Sequence, residues 1–258
     1  MFEEYLQRIE QENNIKILYC CEAGSRAWKF PSPDSDYDIR FVYVHPVEWY
    51  LQLTPGRDTM EWFSEDRVLD FSGWELRKAL NLFAVCNPAF NEQLDSPIIY
   101  RKDPRFLTSL RDLVSNYFLP IRAFYHYFTI AHKMAAIHPI AESIGVKAFF
   151  YIIRPLLACR FILDHHVQPP TIFADLYNTL DIPELIRAQL GQLIEQKKTT
   201  KEKAQIRVPA ELVQYTDQIH QEMGALASEN AKANFPTTEP ADRKPLETLF
   251  QNCVLKNQ

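Results

Sequence analysis

Residues 15–44, "IKILYCCEAGSRAWKFPSPDSDYDIRFVYV", decide the fold. The apolar run from Ile15 to Cys21, bounded by Asn13-Asn14 and Gly24, has the pattern of a buried strand. Tyr37–Val44 is rich in β-branched and aromatic side chains and predicts a second strand. Between them, Gly24 permits a tight turn, Ser25 suits a helix N-cap, and the exposed backbone N–H groups of such a turn can receive an anion. Asp34, Asp36 and Asp38 then crowd the entry to the second strand.

A calcium loop is excluded, because Ile39 stands where an EF-hand requires glycine and His45 where it requires the bidentate glutamate. Asp34, between Pro33 and Ser35, reads as a turn residue whose side chain caps backbone groups. Asp36 and Asp38 differ. Two apart on a strand, their carboxylates leave the same face roughly 6–7 Å apart along the chain. Like charges held together in this way call for a cation, and Mg²⁺ held by one or two carboxylates together with substrate phosphates satisfies that demand.

Working outward, residues 2–12 predict an acidic amphipathic helix, and Pro46 opens a short one. Residues 58–63 and 67–72 predict two more strands, and 74–85 a helix with Leu76, Leu80 and Phe83 on one face. Beyond residue 103 the pattern is helical: 105–116, 120–137, 147–165, 183–196, 209–227 and 240–253. Residues 197–207, "KKTTKEKAQIR", predict a solvated basic linker. Strands first and helices afterwards give an α/β (α+β) chain, with a small mixed-sheet domain over residues 1–100 and a helical domain over 101–258.

Composition narrows the function. The chain has 258 residues, 47% of them hydrophobic, and a net charge of −5, which argues against nonspecific coating of nucleic acid. Neither a secretory signal nor a membrane span is expected, and the five scattered cysteines, without a C-x-x-C pair, predict reduced thiols and a cytoplasmic protein. His126 and His132 are out of helical phase for a metal pair and predict core or surface positions.

The segment "GSRAWKFPSPDSDYDIR" resembles the G-S-x-A, then D-S-D-x-D signature of the DNA polymerase beta-like nucleotidyltransferase superfamily. With "FVYV", "SGWELRKAL" and the following "NP", it is similar to the stand-alone branch associated with RNA repair. The likeness is good over residues 15–100, weaker over 117–170 and absent beyond about 180. It implies a nucleotidyltransferase domain whose helical partner domain closes the nucleotide cleft. It also implies that Gly24 lets the backbone approach the terminal phosphates, that Ser25 contacts them, and that Asp36 and Asp38 hold two Mg²⁺ ions, with Mn²⁺ as a substitute.

The superfamily also implies a third carboxylate on a neighbouring strand, serving as metal ligand and base. Asp70 is the choice, since it interrupts an apolar strand pattern; Glu61 is second, and the structural alternative has Asp70 cap the helix at 74. Arg26 and Arg40 are either phosphate contacts or salt-bridge partners. Lys147, Tyr151 and Arg154 share one helical face, and the resemblance implies that Lys147 reaches nucleotide phosphates. Lys29 departs from the pattern by standing where relatives often have glycine.

The implied reaction transfers a nucleoside monophosphate from an NTP to a hydroxyl of RNA, of a protein or of a small molecule, releasing pyrophosphate. The alternative is a non-catalytic nucleotide- or partner-binding module on the same fold.

Overall fold

The computed structural model describes residues 2–54, 56–229, 231–236 and 241–256. The first half runs α1 (Phe2–Asn13), β1 (Lys16–Glu22), the single turn α2 (Gly24–Ala27), β2 (Tyr37–Val44), α3 (Val47–Tyr50), β3 (Thr59–Phe63) and β4 (Leu69–Glu75). It continues through α4 (Leu76–Ala84), α5 (Pro88–Leu94), β5 (Ile99–Lys102) and α6 (Pro104–Tyr117). The second half comprises α7 (Pro120–Ile137), β6 (Ser143–Gly145), α8 (Val146–His165), α9 (Phe173–Thr179), α10 (Glu184–Thr199), β7 (Gln205–Arg207), α11 (Ala210–Ser228) and α12 (Lys244–Lys256).

Two compact units result. One contains Met1–Gly24, Asp36–Tyr117 and Glu239–Gln258; the other contains Ser25–Ser35 and Phe118–Thr238. The division therefore differs from a single break at residue 100. Phe106, Leu107 and Leu110 of α6, and Leu246, Leu249 and Val254 of α12, enter the core beneath the sheet, which draws both helices into the first unit. Segment 25–35 joins the second unit because its aromatic residues find their partners there: Phe30 packs against Phe150 and Phe173, and Trp28 against Tyr151.

The first unit is built on a five-stranded mixed sheet of order β3-β4-β2-β1-β5, in which β2 and β4 are parallel and the other neighbours antiparallel. Strand periodicity sorts its side chains. Ile39, Phe41 and Tyr43 of β2, with Leu69 and Phe71 of β4, pack on the face that also receives Leu6 and Ile9 of α1. Val42, Val44 and Trp74 pack on the opposite face with α4, α5, α6 and α12. Asp38, Arg40, Asp70 and Ser72 have the parity of this second face, at the ends of β2 and β4 where the apolar cover stops.

β4 runs through Ser72-Gly73-Trp74, three residues beyond its expected end, and the helix starts later than expected. The reason is packing: a Cβ on Gly73 would lie 2.3 Å from the Phe41 ring, so glycine lets β4 lie against β2. Glu75 caps α4, accepting from the N–H groups of Arg77 and Lys78 while Tyr50 Oη donates to it at 2.6 Å. Asp70 is thereby removed from the capping role.

In the second unit, α8 is the buried centre and α7, α9 and α11 pack against it. The expected basic linker is corrected here. Lys197 ends inside α10 and is buried, with Nζ 3.0 Å from Ser32 Oγ and above the Phe30 ring. Residues 205–207 form β7, which pairs with β6.

Candidate active site

Parallel pairing of β2 with β4 sets Asp38 directly opposite Asp70. Neighbouring strands lie about 4.8 Å apart, so the two carboxylates share one patch of the sheet face. Both are partly exposed, at 35% and 29% of their side-chain surface. A single nitrogen, Arg40 Nη2, donates to Asp38 Oδ1 at 2.9 Å and to Asp70 Oδ2 at 3.0 Å. Arg40 Nη1 donates to the carbonyls of Asp70 at 3.1 Å and Ile39 at 3.2 Å. Of the two roles open to Arg40, the structure displays the salt bridge.

Gly24 completes the patch. Its φ is +59°, in the left-handed region, and a Cβ there would fall 2.2 Å from Asp38 Oδ2. Ala23 N–H donates to the Asp38 carbonyl at 2.8 Å, which fixes the turn against β2. Glycine at 24 thus makes room for a carboxylate of the chain itself, a demand separate from the approach of a ligand.

Glu22 escaped the sequence reading. It is fully buried, and its Oε1 accepts the Asp38 backbone N–H at 2.8 Å while Tyr100 donates to its other oxygen. Burial, then the hydrogen bond to Glu22, pushes the Tyr100 phenol up. The available signal was an acid closing an otherwise apolar strand just before the glycine turn. Its effect is to hold the β2 backbone at the residue that presents Asp38.

Asp36 lies one residue before β2 and is exposed; Glu61 lies on β3 opposite Ser72, one strand further from β2 than Asp70. Among the described residues no three His, Cys, Asp or Glu side chains gather closely enough to hold a metal ion. Asp38 and Asp70 are brought together on adjacent strands. The donor chemistry of the pair still suits a hard cation, because one oxygen from each carboxylate already converges on one positive centre.

The remaining predicted residues belong to the second unit. Ser25 sits inside α2 rather than before it, so it is not an N-cap; its Oγ is 3.4 Å from Ser35 Oγ. Arg26 Nη2 donates to the Ser35 carbonyl at 2.8 Å. Lys29 has φ +69°, the left-handed geometry for which glycine is the natural occupant, so its departure from the family pattern falls on a backbone that asks for glycine. Lys147, Tyr151 and Arg154 do share a helical face: Lys147 lies over the Tyr151 ring, Tyr151 contacts Trp28, and the Arg154 guanidinium stacks 4.2 Å from the Trp28 ring. Lys147 also pairs with Glu202 at 3.0 Å, and Asp34 accepts the Glu202 N–H at 2.8 Å. Away from these residues, His132 Nδ1 lies 3.2 Å from His220 Nε2, a partnership between helices that spacing along one helix could not reveal.

The first unit thus carries a mixed sheet with Asp38 and Asp70 in register on adjacent parallel strands beside a glycine turn. The chain belongs to the RNA repair pathway DNA polymerase beta family, RlaP, whose model matches residues 1–252. The match runs well past residue 180, where resemblance by motif ends. YcgL of Bacillus subtilis (strain 168), described as uncharacterized, is 42% identical over 197 residues, covering 76% of this chain and 75% of its own. A nucleotidyltransferase-like protein from Exiguobacterium sibiricum 255-15 aligns over 99% of this chain and 88% of its own, at 11% identity and a TM-score of 0.32. Family membership supports a general nucleotidyltransferase role. Among the described residues no helix is long and apolar enough to cross a membrane.

Proposed function

We propose that the protein is a Mg²⁺-dependent enzyme that transfers a nucleoside monophosphate from an NTP to an acceptor hydroxyl and releases pyrophosphate. The observation that carries this reading is the convergence of Asp38 and Asp70 on one cationic centre, from adjacent parallel strands. A bound divalent ion supplies charge neutralisation for the triphosphate and for the attacking and leaving oxygens. Of two such ions, Asp36 and Asp38 would hold the one bound to the triphosphate, and Asp38 with Asp70 the one nearest the attacking hydroxyl. Asp70 accepts the proton of the attacking hydroxyl as the new O–P bond forms at the α-phosphorus and the bond to pyrophosphate breaks. Gly24 and Glu22 set the position of Asp38, one by yielding space and the other by holding its backbone.

Ser25 and Arg26 bind the β- and γ-phosphates, and Lys147 with Tyr151 adds a cation and a ring face for the nucleotide. Buried free thiols and the reduced-cysteine pattern favour a cytoplasmic setting. The acceptor class is the variable of the test. The protein is incubated with each α-labelled NTP and Mg²⁺, alone, with RNA, and with cell extract. Label moved to an acceptor by the wild type and not by Asp38→Asn or Asp70→Asn supports the reading. Nucleotide binding without any transfer of label favours the binding module instead.

A further inference from the structure

Arg40 occupies the point at which Asp38 and Asp70 converge. It extends from the same face of β2 as Asp38, two residues along, and its guanidinium turns back so that Nη2 bridges the carboxylates and Nη1 reaches two backbone carbonyls. All four bonds fall between 2.9 and 3.2 Å, and the side chain is 22% exposed. This is a formed ion-pair network on rigid strands, in which two negative charges share one positive charge.

A magnesium ion bound by the same two oxygens needs them at about 2.0–2.1 Å, inside the space that Nη2 holds. Two cations cannot share that space, since like charges a few ångströms apart repel strongly where water is partly excluded. We propose that Arg40 is a resident counter-ion, and therefore a positioning residue, that competes with the divalent cation for Asp38 and Asp70. In the nucleotide-free protein it keeps the carboxylates paired and in register. It must withdraw before both can ligate a metal, so the cation alone binds weakly and the metal–NTP complex, which brings its own phosphate ligands, binds well. The inference rests on the metal role given to Asp38 and Asp70 above, and it adds a prediction which that role does not make.

The test is Mn²⁺ binding followed by electron paramagnetic resonance, together with thermal melting in EDTA, on wild type, Arg40→Gln, Arg40→Lys, Asp38→Asn and Asp70→Asn. Arg40→Gln is expected to melt lower than wild type in EDTA, yet to bind Mn²⁺ without nucleotide at least about tenfold more tightly, a change of ~1.4 kcal/mol. Arg40→Lys keeps the charge but loses the fork that spans both acids, so its Mn²⁺ affinity falls between the two. In the wild type, a non-hydrolysable NTP should strengthen Mn²⁺ binding more than it does in Arg40→Gln.

Equal or weaker Mn²⁺ binding by Arg40→Gln overturns the inference. If that variant does not fold, Arg40→Lys decides: affinity at or below that of the wild type overturns it. Mn²⁺ binding in the wild type that is indifferent to Asp38→Asn and Asp70→Asn overturns the metal-site reading itself. Binding that needs both aspartates but is unmoved by Arg40 leaves that reading standing and removes the counter-ion role alone.

Discussion

Replacing Gly24 by alanine isolates the most constrained point of the site. Two costs are involved. At φ +59° an alanine adopts the left-handed conformation, worth roughly 1–2 kcal/mol for an L-residue. Its Cβ would also stand 2.2 Å from Asp38 Oδ2, with the Asp38 carboxyl carbon at 3.1 Å, so the carboxylate must retreat by most of an ångström. A displacement of that size at a reacting group costs on the order of 10²-fold in rate. Gly24→Asn separates the two costs, because asparagine tolerates the left-handed region but still carries a Cβ. Urea unfolding should show Gly24→Ala less stable by roughly 1–2 kcal/mol and Gly24→Asn recovering part of that loss. Both variants should lose nucleotidyl transfer by about the same large factor. Transfer at the wild-type rate by either variant would refute the view that glycine is required for the Asp38 carboxylate, and recovery of activity by asparagine alone would show that only the backbone dihedral matters.

Asp70→Asn should bind Mg·NTP almost as the wild type does and lose orders of magnitude in turnover; since Glu75, not Asp70, caps α4, the melt should fall by no more than ~1 kcal/mol, the scale of a partly exposed ion pair. Wild-type turnover by this variant would pass the role to Glu61. Glu75→Ala removes the α4 cap and the acceptor of the Tyr50 hydroxyl at a nearly fully buried position, so chemical denaturation should register a loss of about 2–4 kcal/mol, with Glu75→Gln milder. Lys197 gives a pH signature. Burial lowers its pKa below the ordinary 10.5, so between the two values the unfolded chain holds more protons and stability rises with pH. Lys197→Met should abolish that alkaline rise, and an unchanged stability–pH slope in the variant would mean the amine is not the group responsible.

Strand and helix identity was legible because it is local. The apolar run at 15–21, the β-branched run at 37–44 and the helical periodicity of 120–137 and 147–165 each declare their conformation from neighbouring residues. The pairing of Gly24 with Asp38, at the start of the next strand, was only half visible: glycine signalled a turn, while the carboxylate that forbids a Cβ there could be found only by contact. Glu75 was likewise passed over as the cap, since the length of β4 depends on how Gly73 packs against Phe41.

What the sequence by itself determined is the mixed α/β class and the placing of Asp38 and Asp70 on strands, because residue type and period-2 spacing are properties of the chain alone. What only the tertiary structure decided is which charges meet. Register between parallel β2 and β4 sets Asp38 beside Asp70 and places Arg40 across both; packing buries Lys197 against Ser32 and Phe30 where charge composition predicted a solvated linker. Apart from that of Arg40 with Asp38, such partnerships join residues many positions apart, and they depend on strand register and core packing, which no local pattern encodes.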